Sequence, residues 1–99
     1  KDIETDVYVL TVSDSVRDVG LEYARELRER GLKVETDLSG RGFGSQLEYA
    51  DSIVAERVLI VGERDLENDD VTMKHMDSGE EEKLDRDDVI EHLEGEGFF

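Results

Sequence analysis

Asp6-Val7-Tyr8-Val9-Leu10-Thr11-Val12 is a nearly continuous run of β-branched, aliphatic and aromatic residues, closed by Ser13-Asp14. A strand with so little polar alternation is apolar on both faces and belongs inside a layered protein, covered above and below. Directly after it, between Ser15 and Arg30, apolar residues fall at Val16, Val19, Tyr23, Ala24 and Leu27, with Gly31 as the stop. That spacing of three and four predicts an amphipathic helix with a glycine cap. Leu32 to Leu38 reads as a second strand, and Ser39-Gly40-Arg41-Gly42-Phe43-Gly44 as a loop. A second helix is expected from about Ser45 to Ala55, burying Leu47, Ala50, Ile53 and Val54, before the most apolar strand, Arg57-Val58-Leu59-Ile60-Val61. Strands alternating with helices imply parallel pairing through right-handed crossovers, with helices on the sheet faces.

Beyond Gly62 the pattern changes. Glu63 to Asp70 is a polar connector, Val71 to Met76 alternates, and Asp77-Ser78-Gly79 turns the chain into Glu80 to Leu84. Alternation around a tight turn predicts an antiparallel hairpin with one wet face, at the edge of what is then a mixed sheet. Asp85 reads as the N-cap of a last helix from Arg86 to about Glu94, with Asp87 and Asp88 in its first turn and Val89, Ile90 and Leu93 facing inward. Residues 95–99 are expected as a flexible tail unless their two Phe rings pin it. The expected architecture is α/β: a five-stranded mixed sheet, β-α-β-α-β-β-β-α along the chain, with three helices packed on it in a single domain over residues 1–99.

Composition sets the conditions. Asp and Glu number 28 against 12 Lys and Arg, a formal net charge of −16 in 99 residues, with no Cys and no Pro. So much like charge repels itself in a compact domain, while at about 1 M salt the Debye length falls to roughly 3 Å. The composition therefore points to a halophilic protein, with an acidic partner-binding surface as the alternative. One small core is all that this length supports, leaving no room for a separate catalytic lobe. A chain starting at Lys1 is expected to be a piece of a larger protein. No apolar run approaches the roughly 18 residues of a membrane span and no stretch resembles a signal peptide, so a cytoplasmic location is expected. The absence of Cys removes thiolate nucleophiles, disulfides and Cys-ligated metals.

In an open α/β sheet the ligand side lies beyond the carboxyl ends of the parallel strands. Three loops matter there: 13–17, 38–45 and 62–66. The middle one carries Gly40, Gly42 and Gly44 just before a helix. Such a loop leaves backbone amides free to approach a ligand, or merely turns the chain. It is neither a Walker A loop nor a dinucleotide fingerprint.

Asp37-Leu38-Ser39-Gly40-Arg41-Gly42-Phe43-Gly44-Ser45-Gln46-Leu47-Glu48-Tyr49-Ala50-Asp51, followed by Val58-Leu59-Ile60-Val61-Gly62-Glu63, resembles the C-terminal anticodon-binding domain of histidyl-tRNA synthetase, a class II enzyme. The resemblance extends over nearly the whole chain, through Thr72-Met73-Lys74 and the Asp77-Ser78-Gly79-Glu80 turn. It implies a domain that binds the anticodon stem-loop of histidine tRNA, beside a separate catalytic domain that uses ATP and Mg and works as a homodimer. The fragment itself would hold no catalytic residue and no cofactor. With the acidic composition, the resemblance suggests a haloarchaeal version.

Sequence-specific RNA readers splay out loop bases, stack them on aromatic or guanidinium planes and bond their edges. The expected ligand edge offers such groups. Arg41 suits a phosphate or a stacked base, Gln46 and Glu63 suit base edges, Arg64 a phosphate, and Phe43 or Tyr49 stacking at about 1–3 kcal/mol per base. Plainer roles stand beside these: Tyr49 packing against Leu47 and Ile53, Phe43 plugging the loop, Glu63 capping a turn. Phe43-Gly44-Ser45 stands where the family commonly has lysines, consistent with readout that leans less on phosphate contacts in high salt.

Two other function classes are open: a synthetase-like regulatory or dimerisation module that binds a protein partner, and a receiver-like phosphoacceptor domain, which would want an Asp where Gly62-Glu63 stands. A calcium loop starting at Asp65 fails, because Asp70 and Met76 occupy the positions that need Gly and Glu. His75 and His92 show no metal-ligand spacing and are expected to pack at the surface or edge, with no metal bound.

Overall fold

The computed structural model describes residues 4–37 and 39–99. Strand β1 (Thr5–Thr11) leads through a short 3-10 turn (Asp14–Val16) into helix α1 (Arg17–Glu29), followed by β2 (Val34–Thr36), α2 (Phe43–Ser52), β3 (Ala55–Val61), a short α3 (Glu63–Glu67), the hairpin β4 (Asp70–His75) and β5 (Glu81–Asp85), and α4 (Val89–Gly95). The five strands lie in the order β2-β1-β3-β4-β5. Pairing is parallel among β2, β1 and β3, with Val7 opposite Val34 and Arg57, and antiparallel from β3 to β4 and from β4 to β5. The mixed sheet with its edge hairpin is the one the sequence predicts.

β1 is buried on both faces. Val7 and Val9 join Tyr23, Ala24, Leu27, Leu59, Met73, Val89 and Leu93 in the larger core, under α1 and α4. Tyr8 and Leu10 point the other way, to Ala50, Val58 and Ile60 under α2. Opposite faces follow from the crossovers: the chain steps from β1 outward to β2, then back past β1 to β3, and a right-handed connection in each direction puts α1 and α2 on different sides. Gly20 lets α1 approach closely, since a Cβ there would lie 2.3 Å from Thr11 Cγ2. Gly31, at φ 92°, ends that helix in the left-handed conformation that suits glycine.

Several boundaries differ from the sequence expectation. The connector 63–70 contains a turn of helix, α3, capped by Gly62. α2 begins at Phe43, two residues early, and stops at Ser52, so β3 takes up Ala55. β2 is only three residues long, and Leu38, expected at its end, lies outside the described residues. Asp85 closes β5, and its Oδ1 accepts the Asp87 amide at 2.9 Å in the turn that precedes the helix; α4 itself starts at Val89, behind Asp88 and not behind Asp85. The tail is pinned: the Phe98 amide donates to the Leu93 carbonyl at 3.1 Å and its ring packs on the larger core. No helix is long and apolar enough to cross a membrane.

Candidate nucleic-acid interface

The loops leaving β1 and β2 head for opposite faces, so a crevice opens between the carboxyl ends of those strands, where doubly wound sheets hold their ligands. Here it is a cleft of about 250 Å³ lined by Thr11, Val12, Ser13, Asp14 and Arg17 on one side and Asp37, Gly40, Arg41, Gly42 and Gln46 on the other.

Asp37 organises the glycine loop. Its side chain is 6% exposed; Oδ1 accepts the Ser39 hydroxyl at 2.8 Å and the Ser39 amide at 3.2 Å, and Oδ2 accepts the Arg41 amide at 2.6 Å. Desolvation alone would raise this carboxyl, but those hydrogen bonds and the Arg41 charge outweigh it and hold the group below its ordinary range. Gly40, at φ 79°, supplies the left-handed residue that the turn requires. The chain then enters α2 behind Gly42, itself part of the crevice lining, with no side-chain cap, which leaves first-turn amides of that helix without a side-chain partner.

Thus held, the Arg41 guanidinium lies over the Tyr49 ring, 4.6 Å from its centroid, and Tyr49 meets Tyr8 edge-on at 6.0 Å. Tyr49 is 36% and Phe43 44% exposed, so two aromatic surfaces and one flat cation share this rim. Gln46 does not join them. It is 2% exposed, with Nε2 donating to the carbonyls of Thr11 (3.0 Å) and Arg41 (2.9 Å) and Oε1 accepting the Tyr8 hydroxyl at 3.3 Å. Burial, with Asp37 nearby, pushes the Tyr8 hydroxyl up to about 12, so it remains a donor. The base-edge role expected of Gln46 is corrected on this geometry: its amide is spent inside the protein, tying α2, β1 and the loop together.

Glu63 and Arg64 sit on α3, at the end of β3. Glu63 Oε1 accepts the Ser13 hydroxyl at 2.6 Å, which joins the first and third loops and lowers the carboxyl's pKa, with Ser15 adding to the effect. Arg64 is exposed and, among the described residues, forms no ion pair. Arg17 also faces the crevice; its Nη2 is 3.2 Å from Asp14 Oδ1 and 3.9 Å from where a Gly40 Cβ would be. Reading the sequence missed Arg17 and Asp37 as site residues. The first was detectable as the lone cation of the loop after β1, the second by the Asp-x-Ser pattern of an Asx turn.

The residues fit a stacked, single-stranded ligand: planar groups, few mobile cations and exposed helix amides. A hollow of about 350 Å³ between α1 and α4 is lined by Asp18, Glu22, Glu26 and Asp87 against Arg86 alone, surroundings that repel a polyanion.

The family model described as "Anticodon binding domain" matches residues 6–96. The chain belongs to the anticodon-binding-domain family. Among curated relatives, the histidine–tRNA ligase of Natronomonas pharaonis is 60% identical over 84 residues, 85% of this chain and 19% of that protein. The ligase of Haloarcula marismortui is 56% identical over 81 residues, 82% of this chain and 18% of that protein. The anticodon-binding domain described here thus spans about a fifth of the length of the curated relatives it matches. Its backbone superposes on the apo histidyl-tRNA synthetase of S. aureus with a TM-score of 0.85 at 26% identity, covering 92% of this chain and 23% of the other.

Proposed function

We propose that this anticodon-binding domain reads the anticodon stem-loop of histidine tRNA as part of a haloarchaeal histidyl-tRNA synthetase, in which a separate catalytic domain of the same polypeptide performs the ATP- and Mg-dependent aminoacylation. The whole enzyme acts in the cytoplasm as a homodimer on this reading. The observation that carries it is Arg41 stacked on Tyr49 at the mouth of the crevice. A guanidinium held flat by an aromatic ring offers its other face to an unstacked base at little entropic cost.

The geometry supports the following roles. Arg41 and Tyr49 form the stacking platform and Phe43 a second one; Glu63 accepts from a base edge with its free lone pairs; Arg64 meets the backbone. Gln46 and Asp37 act through Arg41 and the loop. With so few cations, the salt slope should be shallow, roughly −1 to −2 in log K against log salt.

The test is binding of the chain to a histidine anticodon stem-loop in molar KCl, against a stem-loop with the anticodon exchanged, for the wild type and for Arg41→Ala. Preference for the histidine anticodon, weakened about tenfold by Arg41→Ala, is expected. A folded chain that binds neither stem-loop would favour a docking module for a protein partner.

A further inference from the structure

At the opposite end of the sheet from the crevice, four residues from the edge hairpin and the end of the last helix come together. His75 ends β4, Glu82 lies in β5, and His92 and Glu96 stand one turn apart on and just after α4. A metal-ligand atom of each of His75, Glu82 and Glu96 lies within 4.8 Å of the other two. His75 Nε2 contacts Glu82 Oε2 at 2.6 Å, while His92 Nε2 is 3.5 Å from that same oxygen and 3.3 Å from Glu96 Oε1. Among the described residues, His92 Nε2 is sealed from solvent yet makes no hydrogen bond.

From this cluster we infer a divalent transition-metal site, of the kind zinc occupies, made by Glu82, Glu96, His92 and His75. Zinc bonds of about 2.0–2.1 Å in a tetrahedron put neighbouring ligand atoms about 3.3–3.4 Å apart. The two His92 separations, to Glu82 and Glu96, match that spacing; His75, Glu82 and Glu96 gather within 4.8 Å, and the set closes around an ion when His75 opens its short contact to Glu82 and the two imidazoles, which meet through Glu82, turn toward the same point. The donor set chooses the metal: two imidazoles favour zinc, cobalt or nickel, whereas magnesium and calcium take oxygen. In molar salt, potassium competes for carboxylates but not for imidazole nitrogen. The opposing group is Arg57, whose Nε is 3.5 Å from Glu96 Oε1 and whose guanidinium lies 5.3 Å from the centroid of the Phe98 ring. An ion would displace that contact, which limits affinity without blocking the site.

Bound there, a metal would clamp the hairpin to the last helix, joining the two pieces added after the β-α-β-α-β half. The site is remote from the crevice, so its occupancy should leave RNA binding unchanged, and it holds whether or not the RNA reading does.

The experiment takes the 99-residue chain, stripped by chelator, in molar KCl. Zinc is titrated against a chromophoric chelator, and cobalt is followed by its visible bands. One zinc per chain, four-coordinate cobalt bands and a rise in Tm of about 5 °C or more at saturation are expected. His75→Gln and His92→Gln should each weaken zinc at least about tenfold, while Glu22→Gln with Glu26→Gln on α1 should not. Absence of stoichiometric binding, or binding that survives both histidine changes, overturns the inference, the latter by assigning the metal to diffuse surface carboxylates. If a histidine variant fails to melt cooperatively, X-ray absorption of the zinc-loaded wild type decides, and a spectrum without imidazole scattering rejects the site.

Discussion

Gln46 holds Arg41 by its backbone: the amide nitrogen of one donates to the carbonyl oxygen of the other at 2.9 Å, while the Arg41 side chain leaves in the other direction to cover Tyr49. Truncating Gln46 strands the Tyr8 hydroxyl and the Thr11 and Arg41 carbonyls together. Gln46→Ala should therefore cost about 3 kcal/mol of stability, read as a loss of Tm, before any effect on RNA. A stability unchanged by Gln46→Ala, with RNA affinity lost, would restore the base-edge role.

Asp37 sets an acid limit. Its folded pKa lies below the ordinary 3.8 of the unfolded chain, so its contribution to stability is complete above about pH 4 and is lost as pH falls through the folded value. Melting between pH 5 and 3 should show a steeper acid limb in the wild type than in Asp37→Asn. Parallel limbs would remove Asp37 as the anchor of the loop.

The approach of α1 to β1 leaves no room at Gly20. Gly20→Ala places a methyl group against Thr11 Cγ2, and the helix must shift outward at a cost of about 1–3 kcal/mol. Adding Thr11→Ser, which deletes the clashing methyl, should recover part of the loss; a double variant no better than the single one would place the strain elsewhere.

Charge and salt give the simplest measurement. With a net charge of −16, the domain should melt cooperatively in molar KCl and lose that cooperativity in dilute buffer. Equal thermal midpoints in the two would refute the halophilic reading.

The parts of this molecule legible in the sequence are those governed by local period. The run from Asp6 to Val12 announced a doubly covered strand because Val7 to Thr11, buried alternately toward the two cores, satisfy the same demand, although Asp6 is only partly buried and Val12 falls outside the strand at 49% exposure; the α1 stripe ending at Gly31 did the same for a helix. The edge hairpin showed through its alternation. What failed to show depends on placement. Gln46 looked like a free amide because its partners, Tyr8 and Thr11, lie 38 and 35 residues away in sequence. His75 and His92 looked solitary because what they share is a third residue, Glu82, brought to them by a strand pairing and a helix docking that no local spacing encodes. α3 hid because its five residues make a single turn of helix in which Leu66 is the one apolar side chain, too few to form a stripe.

The two outer strands have a bearing on how such a protein stays dispersed. β2 offers a neighbour only three residues to pair with, and β5 shows Glu81, Lys83 and Asp85 within its five. In molar salt the long-range repulsion between whole molecules is screened away within a few ångströms, and the net charge no longer keeps copies apart. Resistance to edge-to-edge aggregation then rests on short reach and on the cost of stripping water from carboxylates at contact, two local barriers that salt leaves standing.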